Sequence, residues 1–263
     1  MDAENKNGPL KGLIVIDLTR VLAGPYASMI LSDLGARIIK VEPPLGDDSR
    51  EFSPFVNNQS AYFASLNREK ESIKLNLKSE KDKLIFDELI KNADILLENY
   101  KPGTMEKLGY GYKSLTKKHP NLIYASCSGF GQTGPWASKP AYDMIVQGMG
   151  GLMSVTGHDG QEPVRVGTSI GDITAGLFTT IGILASLIDR NKHGNGQAID
   201  VSMLDCQIAI LENAIARYFS TGESPPPGGS RHPAIAPFEC YRCKDGYIVM
   251  ACGNNAMFER MCK

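Results

Sequence analysis

Apolar runs alternate with amphipathic stretches through the first half of the chain. Residues 13–18 form a continuous apolar run, the pattern of a strand that is buried on both faces. Pro25 fits the first turn of a following helix, which Gly35 ends, and a second apolar run covers residues 37–41. This order of strand, helix and strand predicts a βαβ unit with parallel strands.

The same alternation continues along the chain. A helix predicted over residues 79–90 is capped by Ser79 and places Leu84, Ile85 and Leu89 in the core. Further strands are predicted at residues 73–77, 94–98, 122–126 and 197–202. Further helices are predicted from Thr104, over residues 142–149, after Asp172 and over residues 204–219. The stretch 42–68 is predicted to be irregular, because Pro, Gly and Asn interrupt it.

This pattern predicts an α/β fold class, a doubly wound and mostly parallel Rossmann-like sheet. Ligands bind beyond the carboxyl ends of the strands in such sheets. We therefore expect the loops that begin at Val21, Glu42, Asn99 and Ser128 to share one rim.

The C-terminal part of the chain has a different pattern. Residues 221–237 are rich in Pro and Gly and predict a linker or lid, and residues 238–241 and 247–251 flank Asp245-Gly246 as a β-hairpin would. A lone hairpin is not a stable domain. The expected division is therefore a large α/β domain at residues 1–220, the linker or lid at 221–237, and the beginning of a smaller α+β domain at 238–263. The chain is expected to end partway through that second domain.

Composition narrows the classes of partner. The net charge of the 263 residues is -1, which favours neither nucleic acid nor an anionic membrane. No run approaches about 18 uninterrupted apolar residues, and residues 1–9 lack the apolar core of a signal peptide. The cysteines are dispersed except for Cys240-x-x-Cys243, so reduced thiols and a cytoplasmic protein are expected. No second Cys/His pair lies near, and no metal site is predicted.

The candidate chemistry lies in carboxylates and a phenol of the glycine-rich loops. The sequence contains no Gly-x-Gly-x-x-Gly after the first strand and no Walker loop. It does contain Tyr142, Asp143, Asp159 and Asp172, and carboxylates act as bases or as nucleophiles. Asp172 follows Gly171 where a small-residue loop gives way to an apolar helix. Capping that helix is equally an ordinary use of Asp, so both interpretations stay open.

Motifs along nearly the whole chain resemble the class III CoA-transferases, the family typified by formyl-CoA transferase and carnitine CoA-transferase, with α-methylacyl-CoA racemase as a relative. The motifs are residues 18–25, 34–42, 67–77, 93–100, 128–131, 140–143, 171–172, 194–197 and 231–237. They occur in the family's order.

The resemblance implies a CoA-transferase that uses Asp172 as a covalent nucleophile. The carboxylate would attack the acyl-CoA thioester to give a mixed anhydride, and the released thiolate would return to give an aspartyl-CoA thioester. Tyr142 and Asp143 match positions beside the site, and Gly228 and Gly229 match a loop that closes over it.

The resemblance also implies the contacts to CoA. They fall on Leu22, Leu75 (through its backbone), Asn99, Tyr100, Lys107 and Leu108. Some transferases have Gln at the Leu22 position and Arg at the Pro43 position. Some members have a basic residue where this chain has Pro140, and Lys139 lies one residue earlier.

The implied partners are an acyl-CoA and a carboxylic acid, with no nucleic acid, no membrane and no metal. Family members form interlocked homodimers. Arg231 and His232 in the predicted lid suggest a dicarboxyl donor such as succinyl-CoA.

Two alternatives accompany the transferase hypothesis. One is an α-methylacyl-CoA racemase or epimerase, which uses a His-Asp pair where this chain has Tyr142-Asp143. Because the usual pKa of Tyr is about 10, Tyr is a poor α-proton base, which favours transfer. The other is a catalytically impaired fragment that only binds CoA.

Overall fold

A computed structural model describes residues 7–263 of the chain. A central sheet contains six strands: β1 (Ile14–Asp17), β2 (Arg37–Glu42), β5 (Glu71–Lys74), β6 (Ile95–Glu98), β7 (Ile123–Ser128) and β8 (Ala198–Ser202). Their order is β5-β2-β1-β6-β7-β8, and all neighbouring strands pair in parallel. The predicted α/β fold class is confirmed.

Helices cover both faces of this sheet. They are α1 (Ala23–Asp33), α2 (Ala61–Asn67), α3 (Glu80–Lys91), α4 (Thr104–Leu108), α5 (Tyr112–Lys118), α6 (Asp143–Met149), α7 (Leu152–Val155), α8 (Ile170–His193), α9 (Met203–Ala209), α10 (Asn213–Thr221) and α11 (Asn255–Met261). On one face, Leu31 of α1 and Ile183 of α8 pack against the sheet at Val15. On the other face, Phe86 of α3 and Met105 of α4 belong to a second buried cluster.

Helix α8 forms much of the first face. Its 24 residues are long and apolar enough to cross a membrane, yet half of its most apolar window is buried inside the protein. Ile183 and Leu187 pack in the core beside the sheet, and α1 runs along α8. The helix is therefore accounted for as a core element of the α/β fold.

Several predicted elements differ from the structure. The stretch predicted to be irregular contains a 3-10 turn at Asp48–Glu51, the paired strands β3 (Phe55–Val56) and β4 (Gln59–Ser60), and helix α2. The strand predicted at 73–77 lies two residues earlier and ends at Lys74. The single helix predicted at 204–219 is wrong, because the chain breaks between α9 and α10 and Glu212 adopts a φ of 33°.

The predicted inner face of α3 is also wrong. Leu84 and Ile85 are 69% and 40% exposed, whereas Phe86 and Ile90 are buried. Leu89 is partly buried against the same cluster. The helix therefore packs through a face rotated from the predicted one.

The C-terminal hairpin forms as predicted. Strands β9 (Phe238–Arg242) and β10 (Tyr247–Ala251) pair antiparallel, and α11 follows them. The segment 222–237 contains no regular helix or strand, and Gly228 forms an isolated bridge with His158. The division into a large domain, a lid and a smaller domain stays a prediction, and residues 1–6 of the large domain lie outside the described part of the chain.

Candidate active site

The loops that leave the carboxyl ends of β1, β6 and β7 meet at one cavity of about 320 Å³. Its lining combines the predicted Leu22, Asn99, Tyr100, Tyr142 and Asp172 with other residues, among them Arg20, Val21, Ala23, Lys101, Cys127, Gly129 and Lys139. The loop after β2 joins the same rim, because Asp47 in that loop accepts a hydrogen bond from the Val21 N–H. The common rim expected from the strand order is therefore present.

Asp172 lies where the first turns of two helices approach each other. It is the third residue of α8, and the side chain of Ser169, at the N-cap position, makes no capping hydrogen bond. The backbone N–H of Ala23, the first residue of α1, instead favours the ionised form of the Asp172 carboxylate. A helix N-terminus stabilises a carboxylate there as the anion.

Burial opposes that stabilisation. Burial first, and then the charge of Asp143, raise the pKa of Asp172 to about 7, and the Ala23 N–H acts in the opposite direction. The half-buried carboxylate thus changes protonation near neutral pH and loses part of its hydration. Both properties suit a nucleophile that has to attack a carbonyl carbon.

Asp143 is fixed beside Asp172 by two hydrogen bonds. One carboxylate oxygen accepts the Gly171 N–H at 2.7 Å and the other accepts the Gln147 amide at 2.7 Å. A Cβ on Gly171 would lie 2.7 Å from a methyl carbon of Val146 and 3.0 Å from the Asp143 oxygen. Gly171 is therefore needed for the close approach of α6 and α8 that brings the two carboxylates together.

Tyr142 and the two predicted lid glycines have different positions. Tyr142 precedes α6, is 78% exposed and lines the Asp172 cavity. Gly228 and Gly229 line a separate cavity of about 530 Å³ together with Arg231 and His232. The Gly229 N–H donates to the Gly157 carbonyl at 2.7 Å. The structure does not bring these glycines or Arg231 into the Asp172 cavity.

The predicted CoA contacts divide between two neighbouring depressions. Leu75 and Leu108 line a groove of about 400 Å³ beyond β2, and Tyr100 lines both this groove and the Asp172 cavity. The Leu75 N–H is bonded to the Glu42 carbonyl. Lys107 is exposed and lines neither. Tyr100 therefore joins the two depressions.

The Asn99 side chain bonds to protein backbone. Its carboxamide oxygen accepts the Arg20 N–H at 2.9 Å, and its amide nitrogen donates to the Arg20 carbonyl at 2.8 Å. The side chain predicted to contact CoA thus also fixes the loop after β1.

Sequence reasoning assigned no role to several side chains near Asp172. Burial, and then the charge of Asp172, raise the pKa of Tyr62 in α2 to about 12. Tyr62 therefore lies close to Asp172. Cys127 lies in the cavity wall, and burial raises its pKa to about 12. Arg20 and Lys139 add positive charge to the cavity lining. The position of Arg20 just after a buried strand was the available signal, whereas Tyr62 lies in a helix that was not predicted.

The chain was then compared with known proteins. The sequence model of CoA-transferase family III matches residues 10–263. The chain belongs to this family. An acetyl-CoA:oxalate CoA-transferase of Acetobacter aceti is 51% identical over 257 residues, which is 97% of this chain and 66% of that protein. A succinyl-CoA:glutarate CoA-transferase of Mus musculus is 44% identical over 97% of this chain and 59% of its own length.

A solved structure supports the family at the level of the fold. The crystal structure of a CAIB/BAIF family protein from Brucella suis superposes with a TM-score of 0.90 and 42% identity. The match covers 97% of this chain and 69% of that one. The chain thus spans about three fifths to two thirds of the curated relatives reported above.

Proposed function

We propose that this protein transfers CoA from an acyl-CoA to a carboxylic acid through covalent intermediates on Asp172. The observation that carries the proposal is the state of the Asp172 carboxylate. It is half-buried in the cavity at the carboxyl ends of the strands, the Ala23 N–H favours its ionised form, and its pKa is raised to about 7.

The proposed reaction begins when a carboxylate oxygen of Asp172 attacks the thioester carbonyl carbon. The C–S bond breaks, CoA leaves as the thiolate, and a mixed anhydride of Asp172 and the donor acid forms. The thiolate then attacks the Asp172 carbonyl, which releases the donor acid and leaves an aspartyl-CoA thioester. The acceptor carboxylate repeats these two steps in reverse, so that acceptor-CoA leaves and Asp172 is regenerated.

Tyr100 is proposed to guide CoA between the two depressions, with Leu75 and Leu108 in the groove and Leu22 in the reaction cavity. Lys107 would meet a phosphate from outside the groove, as a cation on the surface. Gly228 and Gly229 could supply oxyanion donors after the segment 222–237 moves toward Asp172.

The acid substrates are proposed to be dicarboxylic. Oxalate and glutarate occur in the names of the two relatives reported above, and Arg20, Lys101 and Lys139 line the Asp172 cavity. These cations fit a second carboxylate on the acid or the phosphates of CoA. Succinyl-CoA and acetyl-CoA are the donors to test first.

The protein is further proposed to be a cytoplasmic homodimer. Free cysteines at all six positions fit a reducing compartment. Exposed apolar side chains on α8, among them Leu177, Ile181 and Ile188, fit a subunit interface. Sedimentation at several concentrations measures the oligomeric state.

The racemase alternative is less well supported. A racemase needs a free base beside the α-carbon, whereas both oxygens of Asp143 accept hydrogen bonds from Gly171 and Gln147. Tyr142 stands where the racemase has its His, and its side chain is exposed.

One experiment separates the three hypotheses. The protein is incubated in deuterated water with succinyl-CoA or acetyl-CoA and with oxalate or glutarate, and all CoA esters are identified by mass. Transfer predicts a new CoA ester without deuterium, and none with Asp172→Asn. Deuterium at the α-carbon without transfer would support the racemase, and CoA binding without either reaction would support the impaired fragment.

A further inference from the structure

The loop of residues 18–22 that joins β1 to α1 contains a strained residue. Val21 has a φ of 65°, in the left-handed region. A β-branched residue rarely adopts this conformation, and it persists only where the surroundings impose it. Contacts around the loop should therefore reveal what holds Val21.

Three successive residues of this loop are held by side chains from other parts of the chain. The Lys40 ammonium donates to the Thr19 carbonyl at 2.7 Å and pairs with one oxygen of Asp47 at 2.9 Å. The other oxygen of Asp47 accepts the Val21 N–H at 3.2 Å. Asn99 bonds to both backbone groups of Arg20.

The ion pair lies in the protein interior. The side chains of Lys40 and Asp47 are 1% and 0% exposed. Burial opposes the ionisation of Asp47, but the charge of Lys40 and the hydrogen bonds from Ser49 hold the pKa of Asp47 below its usual value. Because burying two charges costs solvation, such a pair is weak evidence for a stabilising role and calls for another reason.

The loop leads directly to the partner of Asp172. Ala23, two residues after Val21, lines the same cavity as Asp172, and its N–H favours the ionised Asp172 carboxylate. The direction of that N–H depends on how the loop enters α1. The entry is tightly packed, since a Cβ on Gly24 would lie 2.2 Å from a methyl carbon of Thr19, and one on Gly176 of α8 would lie 2.8 Å from the Ala23 carbonyl oxygen.

We propose that the buried Lys40–Asp47 pair is a positioning device, which holds Val21 in its left-handed conformation so that the Ala23 N–H meets the Asp172 carboxylate. The benefit of this arrangement to catalysis rests on the proposed function. The alignment of the Ala23 N–H with the Asp172 carboxylate does not depend on that function. Lys40 and Asp47 thereby act through the loop and not by contact with the substrate.

The titration of Asp172 reports on this alignment without any turnover. Asp143 of α6, Tyr62 of α2 and Cys127 of β7 are the titratable groups that interact with Asp172, and Arg20, Lys101 and Lys139 share its cavity. Asp47→Asn alters none of these side chains. It removes the charge that holds Lys40.

The test follows the carboxyl ¹³C signal of Asp172 against pH in protein labelled at aspartate and assigned with Asp172→Asn. We expect Asp47→Asn to raise the pKa of Asp172 above its wild-type value, because the Ala23 N–H that favours its ionised form is turned away. We also expect kcat/KM for CoA transfer to fall about tenfold or more, as for a lost hydrogen bond to a charged group. Adding Val21→Gly should reverse both effects in part, since glycine adopts a left-handed φ without help.

A matched control is available at the other end of the strands, where Asp94 precedes β6. Asp94 accepts the Ile14 N–H at 2.9 Å and pairs with Arg190 at 3.0 Å, as Asp47 does with Val21 and Lys40. Asp94→Asn should lower the free energy of unfolding and leave the titration of Asp172 unchanged. If Asp47→Asn does not fold, Lys40→Met replaces it, because it removes the other member of the same buried pair.

An unchanged Asp172 titration in Asp47→Asn, or in Lys40→Met when that variant replaces it, overturns the proposal. So does a shift that Val21→Gly fails to reduce, or one that Asp94→Asn reproduces. If the titration shifts as expected but wild-type protein transfers no CoA, the positioning proposal stands and the proposed function fails.

Discussion

Replacing Asp172 by Asn should stabilise the protein, and by an amount that depends on pH. The wild-type carboxyl has a pKa raised to about 7 by burial and by Asp143, against a usual value of 3.8. Between these values the unfolded chain releases the proton while the folded protein retains it. The folded state is therefore penalised increasingly as pH rises from about 4, and the penalty levels off above about 7.

The size of the effect follows from the same two values. Each pH unit between 3.8 and about 7 contributes about 1.36 kcal/mol to the cost of holding the carboxylate in the folded protein. Solvent that reaches the half-buried group reduces the total to on the order of 2 to 4 kcal/mol. Because Asn carries no charge, Asp172→Asn should be more stable than wild type by that amount near about pH 8, with little of the difference present near about pH 4.

Urea unfolding of both proteins at intervals from about pH 4 to about pH 9 measures this difference. Asp159→Asn is the matched control, since Asp159 is exposed on a loop, and it should shift the free energy of unfolding by a nearly constant amount across that range. A constant difference between wild type and Asp172→Asn, or one that shrinks as pH rises, would refute the assigned environment of Asp172.

Three further predictions concern the same site. Asp143→Asn removes the neighbouring charge, so the pKa of Asp172 should fall and the acidic limb of the kcat/KM profile should move to lower pH; an unmoved limb would argue against the coupling. Gly171→Ala should lower the free energy of unfolding by about 1 to 3 kcal/mol in a urea titration, because its Cβ would overlap Val146, and an unaltered midpoint would contradict this packing. Tyr100→Ala should raise KM for acyl-CoA more than it lowers kcat, since Tyr100 joins the groove and the cavity; an effect on kcat alone would refute that role.

The sheet and its rim could be predicted because buried parallel strands leave unambiguous apolar runs. The run at 13–18 and the glycine at 35 delimit a βαβ unit by local rules alone. The shared rim then follows from the parallel strand order, without knowledge of any side-chain contact.

The packed face of α3 was less predictable. Apolar residues occupy positions 84, 85, 86, 89 and 90, so two overlapping faces satisfy a helical period. Only contact with the sheet selects Phe86 and Ile90 as the buried pair. The break between α9 and α10 at Glu212 was equally hard to predict, because no Gly or Pro marks it.

At the site, the sequence predicted that Asp172 lies at the start of a helix, but not what it contacts. The Ala23 N–H reaches it from α1, which is distant in the chain. Tyr62 reaches it from a short helix. That helix lies in a stretch for which Pro and Asn predicted irregular structure. Such contacts arise from tertiary packing, which local propensities do not encode.

The most direct test of the central claim is the intact mass of the protein after brief incubation with acyl-CoA and rapid treatment with borohydride or hydroxylamine. The account predicts that wild-type protein acquires the corresponding reduced or hydroxamate group, that peptide mapping places it on Asp172, and that Asp172→Asn acquires none. A modification on any other residue, or transfer of CoA by Asp172→Asn, would contradict a covalent role for Asp172.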